Sequence, residues 1–301
     1  MKTIRLRRWM LCLLLPLVFL PDIAPAQTTR ERGLGPYTLV TRRGEITARI
    51  LRREGDMIWV DRLAQSGNWI ETGVAKRDII EFRAPRPRLF ELADQAETPE
   101  QIAAAIDQIR RMIAQLRPYR DLPGIPVHDG LLLQAQLNER REFWREALQI
   151  YEELLGQTYE MKDRQAIRYR AGLALWQMKN KERALTYLLD DPIPDEDLDL
   201  LSLVLYARGD SQASIGNHRE AVDTFLRMIV FYPFTQNNEP KALAGIIPSF
   251  IAMQDWDAVM KSLEALQRDY AESEESAAAE KIIQQYTQKI EAEKQYQVSQ
   301  E

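Results

Sequence analysis

The chain has 301 residues, 45% apolar and 28% charged, with 13 glycines and 15 prolines. That is the composition of a globular protein, and it excludes collagen-like, low-complexity and multispan membrane architectures. The formal net charge of −5 is unevenly placed: residues 27–90 hold 13 basic and 8 acidic side chains, whereas residues 91–301 hold 23 and 36. Such an asymmetry predicts two separately folded units with different surfaces.

At the start of the chain, Lys2, Arg5, Arg7 and Arg8 precede an apolar run from Trp9 to Leu20, which Ala24-Pro25-Ala26 follows. This is the pattern of a cleavable secretory signal peptide over residues 1–26, and the run, broken by Pro16, falls short of the roughly 20 residues a spanning helix needs. The single cysteine, Cys12, lies inside the run rather than at its end, which speaks against a lipoprotein. A mature chain beginning after Ala26 has no thiol for a disulfide or a nucleophile. The expected location is periplasmic or secreted.

Residues 36–84 alternate with period 2 between turn signals. Tyr37–Thr41, Ile46–Ile50, Met57–Val60, Trp69–Thr72 and Ile79–Phe82 read as five short strands, with a one-turn helix at Ala75–Asp78 before the last. Five strands in so short a stretch predict a small closed barrel. Tyr37, Trp59, Trp69 and Phe82 are the expected core aromatics, and Arg42, Arg43, Arg49, Arg52 and Arg53 form a basic patch. The order of these elements resembles the SH3-like and Sm-like small barrels. Alternating prolines at 85 and 87 then make residues 85–97 a linker.

Residues 98–127 read as a helical adaptor. Thr98, Pro99 and Gln101 form a capping-box signature, and Ile102, Ile106, Ile109, Ile113 and Leu116 share one helical stripe. Residues 128–290 hold a repeat, anchored on Ala147, Ala184, Ala221 and Ala258, each 37 residues from the last. Tyr151, Leu188, Phe225 and, one residue out of step, Leu263 follow one turn later. Ala135, Gly172 and Gly209 stand twelve residues upstream of the first three anchors, and Ile246 occupies that place in the fourth. Small residues at both places let paired antiparallel helices approach closely. Residues 291–301 form a polar tail.

These positions, together with Gly216-Asn217-His218-Arg219-Glu220-Ala221 and Tyr232-Pro233, resemble the tetratricopeptide repeat. The phrasing is similar to the repeats of bacterial envelope proteins such as the Tol-Pal-associated periplasmic factor and the barrel-assembly lipoprotein. The resemblance implies an α+β multidomain chain, with the small N-terminal β-barrel followed by an α-solenoid of helix pairs. It further implies a concave groove faced by Leu132, Gln136, Glu139, Tyr169, Trp176, Tyr206, Asp210 and Phe250.

Catalytic apparatus is not visible in the sequence. His128 and His218 are 90 residues apart with no converging ligand. The zinc-protease, serine-hydrolase and phosphate-loop motifs are missing. The acidic stretch Asp195–Asp199 lacks the twelve-residue spacing and central glycine of a calcium loop, and neither metal nor cofactor is expected. The leading expectation is a non-enzymatic scaffold of the cell envelope that binds another envelope protein or peptide in the repeat groove. The signal sequence directs it away from nucleic acid, and no small-molecule substrate is indicated. One alternative makes the basic barrel an electrostatic tether to an anionic envelope surface. Another is an envelope glycan hydrolase using loop carboxylates.

Overall fold

A computed structural model describes residues 34–83, 87–157, 163–188, 198–232 and 238–298, with side chains to residue 288. The signal-peptide segment, the acidic residues 190–197 and Pro233 lie outside the described residues. The chain divides between Ile79 and Ile80 into two compact units, one carrying most of the strands and the other all of the helices.

The period-2 stretch forms β1 (Leu34–Thr41), β2 (Gly44–Glu54), β3 (Met57–Leu63), β4 (Trp69–Ala75) and β5 (Ile79–Arg83), with a single 3-10 turn at Lys76–Asp78. Leu39, Ala48, Ile50, Ile58 and Val60 alternate onto one face and are buried, as strands with one covered side require. A bulge between Ile50 and Arg52 adds a residue to β2 opposite β3, which bends the strand and raises its twist.

The strand order is β4-β3-β2-β1-β5, so β4 and β5 are edges and the expected closed barrel is an open sheet. The sheet is nevertheless curled. The four steps from Ala75 to Ile79 span at most about 14 Å, whereas four inter-strand spacings set flat edges about 19 Å apart. A connection this short joins opposite edges only when the sheet is bent out of flat.

Trp59 and Trp69, expected in the core, are half-buried on the outer face. The Arg52 guanidinium lies 4.7 Å from the Trp59 ring centroid and that of Arg49 lies 4.3 Å from Trp69. Phe82 is buried. Its N–H donates to the carbonyl of Pro123 at 2.7 Å, and the neighbouring Gly124 has φ +84° with no room for a side chain: an added Cβ would lie 1.9 Å from the Phe82 carbonyl oxygen.

The residues read as a linker include a helix, α1 (Arg88–Asp94), because Phe90 and Ala93 are one turn apart and bury together. Next comes α2 (Pro99–Leu116), capped reciprocally by Thr98 and Gln101, with Ile102, Ile106, Ile109, Ile113 and Leu116 all buried. The remaining helices are α3 (Val127–Arg140), α4 (Trp144–Leu155), α5 (Arg164–Gln177), α6 (Lys181–Tyr187), α7 (Leu198–Ser214), α8 (His218–Phe231), α9 (Asn238–Ala252), α10 (Trp256–Asp269) and α11 (Glu274–Val298). Each of α3 to α11 packs on its chain neighbours, and α5, α7, α9 and α11 also pack in succession on one another. This is a solenoid-like arrangement, in which every second helix faces the same side.

The turn inside each pair marks the repeat more sharply than any side chain. Glu142, Lys179, Gly216 and Gln254 all have positive φ, between 59° and 87°, the left-handed conformation that reverses a chain at a helix end. Their separations are 37, 37 and 38 residues. The fourth copy is therefore one residue longer, which corrects two expectations. Its anchor is Val259, only 1% exposed, while Ala258 is half-buried; and the position facing that anchor is Ile247, not Ile246. Leu263, apparently out of step, is in register.

Candidate functional site

Because α5, α7, α9 and α11 lie side by side, residues distant in sequence line one concavity. Trp176 from α5, Leu203, Tyr206, Asp210 and Ser214 from α7, Lys241, Gly245 and Pro248 from α9, and Glu275 and Ile282 from α11 enclose about 590 Å³, within the size range of ligand and peptide pockets. Its floor is aromatic. The Trp176 and Tyr206 rings meet edge-on, centroids 6.0 Å apart at 87°, and Tyr206 meets Phe225 at 5.9 Å and 62°. Such geometry aligns the positive edge of one ring with the negative face of the next.

The depth of the site comes from two glycines. Side chains on Gly209 and Gly245 would stand 2.8 Å and 2.7 Å from the Phe225 ring, so α7 and α9 close on it from either side. Pro248 removes one backbone donor inside α9; the proline ring forms part of the wall instead.

The polar groups are held in place. The Trp176 indole N–H donates to Asp210 Oδ2 at 2.6 Å, and Lys181 Nζ lies 2.7 Å from the same oxygen. Lys181 also donates to Ser214 Oγ at 2.7 Å, and that hydroxyl donates in turn to the Asp210 carbonyl. Asp210 thus fixes the indole and has its charge matched by Lys181. Burial raises the Tyr206 hydroxyl above its ordinary pKa, and the carboxylates of Asp210 and Glu275 add to that rise. Among the described residues, Tyr206 Oη makes no hydrogen bond.

Three of the expected groove residues, Trp176, Tyr206 and Asp210, come together here. Glu139 lines an adjoining cavity of about 260 Å³ with Trp144, Arg170, Gln177 and Asp199. Its carboxylate is 2.9 Å from Arg170 Nη1. Burial nonetheless pushes the Glu139 pKa up, against the opposing pull of Arg170. Leu203, 41% exposed, belongs to both cavities and forms the ridge between them.

Tyr169 is not a groove residue. It is fully buried, and its hydroxyl accepts from Gln165 Nε2 at 3.1 Å. Phe250, partly buried, packs against the hydrophobic core of the later helices and does not line the cavity. Leu132 and Gln136 are half-buried on α3 and line neither cavity. The sequence reading missed Leu203, Lys241, Gly245, Pro248 and Glu275, since these meet only through stacking of the odd-numbered helices. The available signal was the proline within α9.

A third concavity of about 700 Å³ is lined by Arg164, Arg168 and Arg183. The Arg164 guanidinium donates to the carbonyls of Leu155 and Gln157, closing the end of α4. Arg183 pairs with Glu152 at 2.5 Å, and Arg168 lies over the Tyr169 ring. Of these cations Arg164 holds a helix end, and the other two are engaged by a carboxylate and an aromatic ring.

On the sheet the basic patch divides. Arg42 and Arg43 are exposed at the β1–β2 turn. Arg52 is paired with Glu54 at 2.8 Å and with Glu71 at 2.5 Å, Arg49 covers Trp69, and Arg53 donates to the Gly55 carbonyl.

Among the described residues no group of three or more His, Cys, Asp or Glu side chains is placed to hold a metal ion, and no helix is long and apolar enough to cross a membrane. No protein-family model matches this sequence, and no curated protein matches it.

Proposed function

We propose that this chain is a non-enzymatic interaction scaffold of the bacterial cell envelope, exported by its N-terminal signal, and that it holds a partner protein or peptide across α5, α7, α9 and α11. The observation that carries this reading is the cavity with the Trp176–Tyr206 pair at its floor. Half-buried Trp and Tyr side chains dominate binding hot spots; Trp176 is fixed by Asp210 and Tyr206 packs edge-on against it, and a preorganised site loses little entropy on binding. The regular left-handed turns at Glu142, Lys179, Gly216 and Gln254 support a tetratricopeptide-like repeat. The strand order with a one-turn helix before β5 supports an SH3-like relationship for the N-terminal part.

The tether is the weaker reading, because Arg49 and Arg52 are already committed to aromatic rings and carboxylates. Leu203 offers a clean test: exposed and outside the core, it tolerates a polar replacement. A partner captured from envelope extract by the full chain should be lost with Leu203→Glu and kept after charge reversal of Arg42 and Arg43. The reverse pattern favours the tether and removes the groove.

A further inference from the structure

Charge around the groove is not balanced, and the imbalance points to what fills it. Two of the four lining carboxylates have cations of their own, since Glu139 is matched by Arg170 and Asp210 by Lys181. Among the described residues, Glu275 and Asp199 form no ion pair. They stand on the two sides of the Leu203 ridge, Glu275 in the larger cavity and Asp199 in the smaller. Arg170, in the smaller cavity, is already matched to Glu139, so against these two stands, among the described residues, one unpaired lining cation, Lys241, on the α9 wall of the larger cavity. The chain from residue 91 to residue 301 has the same sign as a whole, with 23 basic and 36 acidic side chains.

The position of Tyr206 sharpens this. Its hydroxyl lies in the field of two carboxylates, and it stays protonated at neutral pH. The ring is half-buried beside Trp176. An ammonium or guanidinium entering there meets an aromatic surface and the Glu275 carboxylate together, a combination worth more than either alone when water is partly excluded. A volume of about 590 Å³ exceeds that of one basic side chain and leaves room for a neighbouring apolar residue against Leu203 and Pro248.

We propose that the occupant is an extended segment of a partner chain in which a lysine or arginine is flanked by apolar residues, its cationic head between Tyr206 and Glu275 and an apolar neighbour on the Leu203 ridge. This rests on the groove reading above. Lys241, on the α9 wall, disfavours a second cation at that side, so the preferred segment has one basic residue among apolar ones rather than a polybasic run.

A random nonapeptide display library selected on the full chain tests the proposal. Selected peptides should be enriched in lysine or arginine next to leucine, isoleucine or an aromatic residue. A representative peptide should lose about fivefold in affinity with Glu275→Gln, consistent with one partly buried pair, and should bind Lys241→Met at least as well as the unaltered chain. Enrichment of acidic peptides, no charge preference, or loss of binding with Lys241→Met but not with Glu275→Gln overturns the basic occupant while leaving the groove reading intact. Selected peptides indifferent to Leu203→Glu, or no selection at all, overturn both. Circular dichroism of each variant establishes that the fold is intact.

Discussion

The third and fourth helix pairs occupy equivalent places in the repeat and solve the same packing problem differently. In α7 and α8 the helices meet through Gly209 and Ala221, with Phe225 filling the space beside them. In α9 and α10 the corresponding residues are Ile247 and Val259, both buried, and α9 contains Pro248. The third pair approaches closely because it lacks side-chain bulk at the crossing. The fourth has branched side chains there instead, yet α9 still approaches α8 through Gly245. Closeness has moved from within a pair to between pairs, and the cavity lies where that exchange occurs.

The largest effect expected is at Phe225. Phe225→Ala should destabilise the helical part by roughly 3–5 kcal/mol in chemical denaturation, because the ring fills space that two glycines leave open. A loss below about 1 kcal/mol would mean that the glycines do not depend on it.

Next in size is the contrast that separates a 37-residue from a 38-residue fourth copy. Ala221→Trp should overpack the third pair and cost roughly 1–3 kcal/mol, whereas Ala258→Trp, at a half-buried position, should change stability by less than about 0.5 kcal/mol. Equal losses would restore Ala258 as the anchor.

A smaller effect concerns the turns. Lys179→Gly should stabilise by about 0.5–1 kcal/mol, since a side chain in the left-handed region carries a steric cost that glycine avoids; Gly216→Ala should destabilise by a similar amount. Thermal melts of the two variants should shift in opposite directions.

The smallest is a pH dependence. Glu139 has a folded pKa above its unfolded value, so the native state binds more protons than the unfolded state between the two values. Its contribution therefore falls as pH rises through that window and is most favourable below the unfolded value, the opposite of an ordinary salt-bridged carboxylate. Glu139→Gln should flatten the melting temperature between pH 4 and pH 7 relative to the parent. An unchanged profile would show that Arg170 compensates burial fully.

Much of the architecture follows from local signals. Period-2 alternation marks all five strands, since a strand places successive side chains on opposite faces. Thr98, Pro99 and Gln101 mark the start of α2 because capping is settled within four residues. The 37-residue spacing marks the first three pairs, and the resemblance to the tetratricopeptide repeat is what singles out Trp176, Tyr206 and Asp210. Only the tertiary structure decided the rest. Sheet closure depends on whether β4 and β5 pair, a long-range choice that alternation does not encode. Tyr169 and Tyr206 hold the same repeat position, yet one is sealed in the core and the other faces a cavity, because burial depends on which helices stack above each. Lys241 and Glu275 join the site through the contacts of α9 and α11 with one another, and no spacing within either helix carries that information.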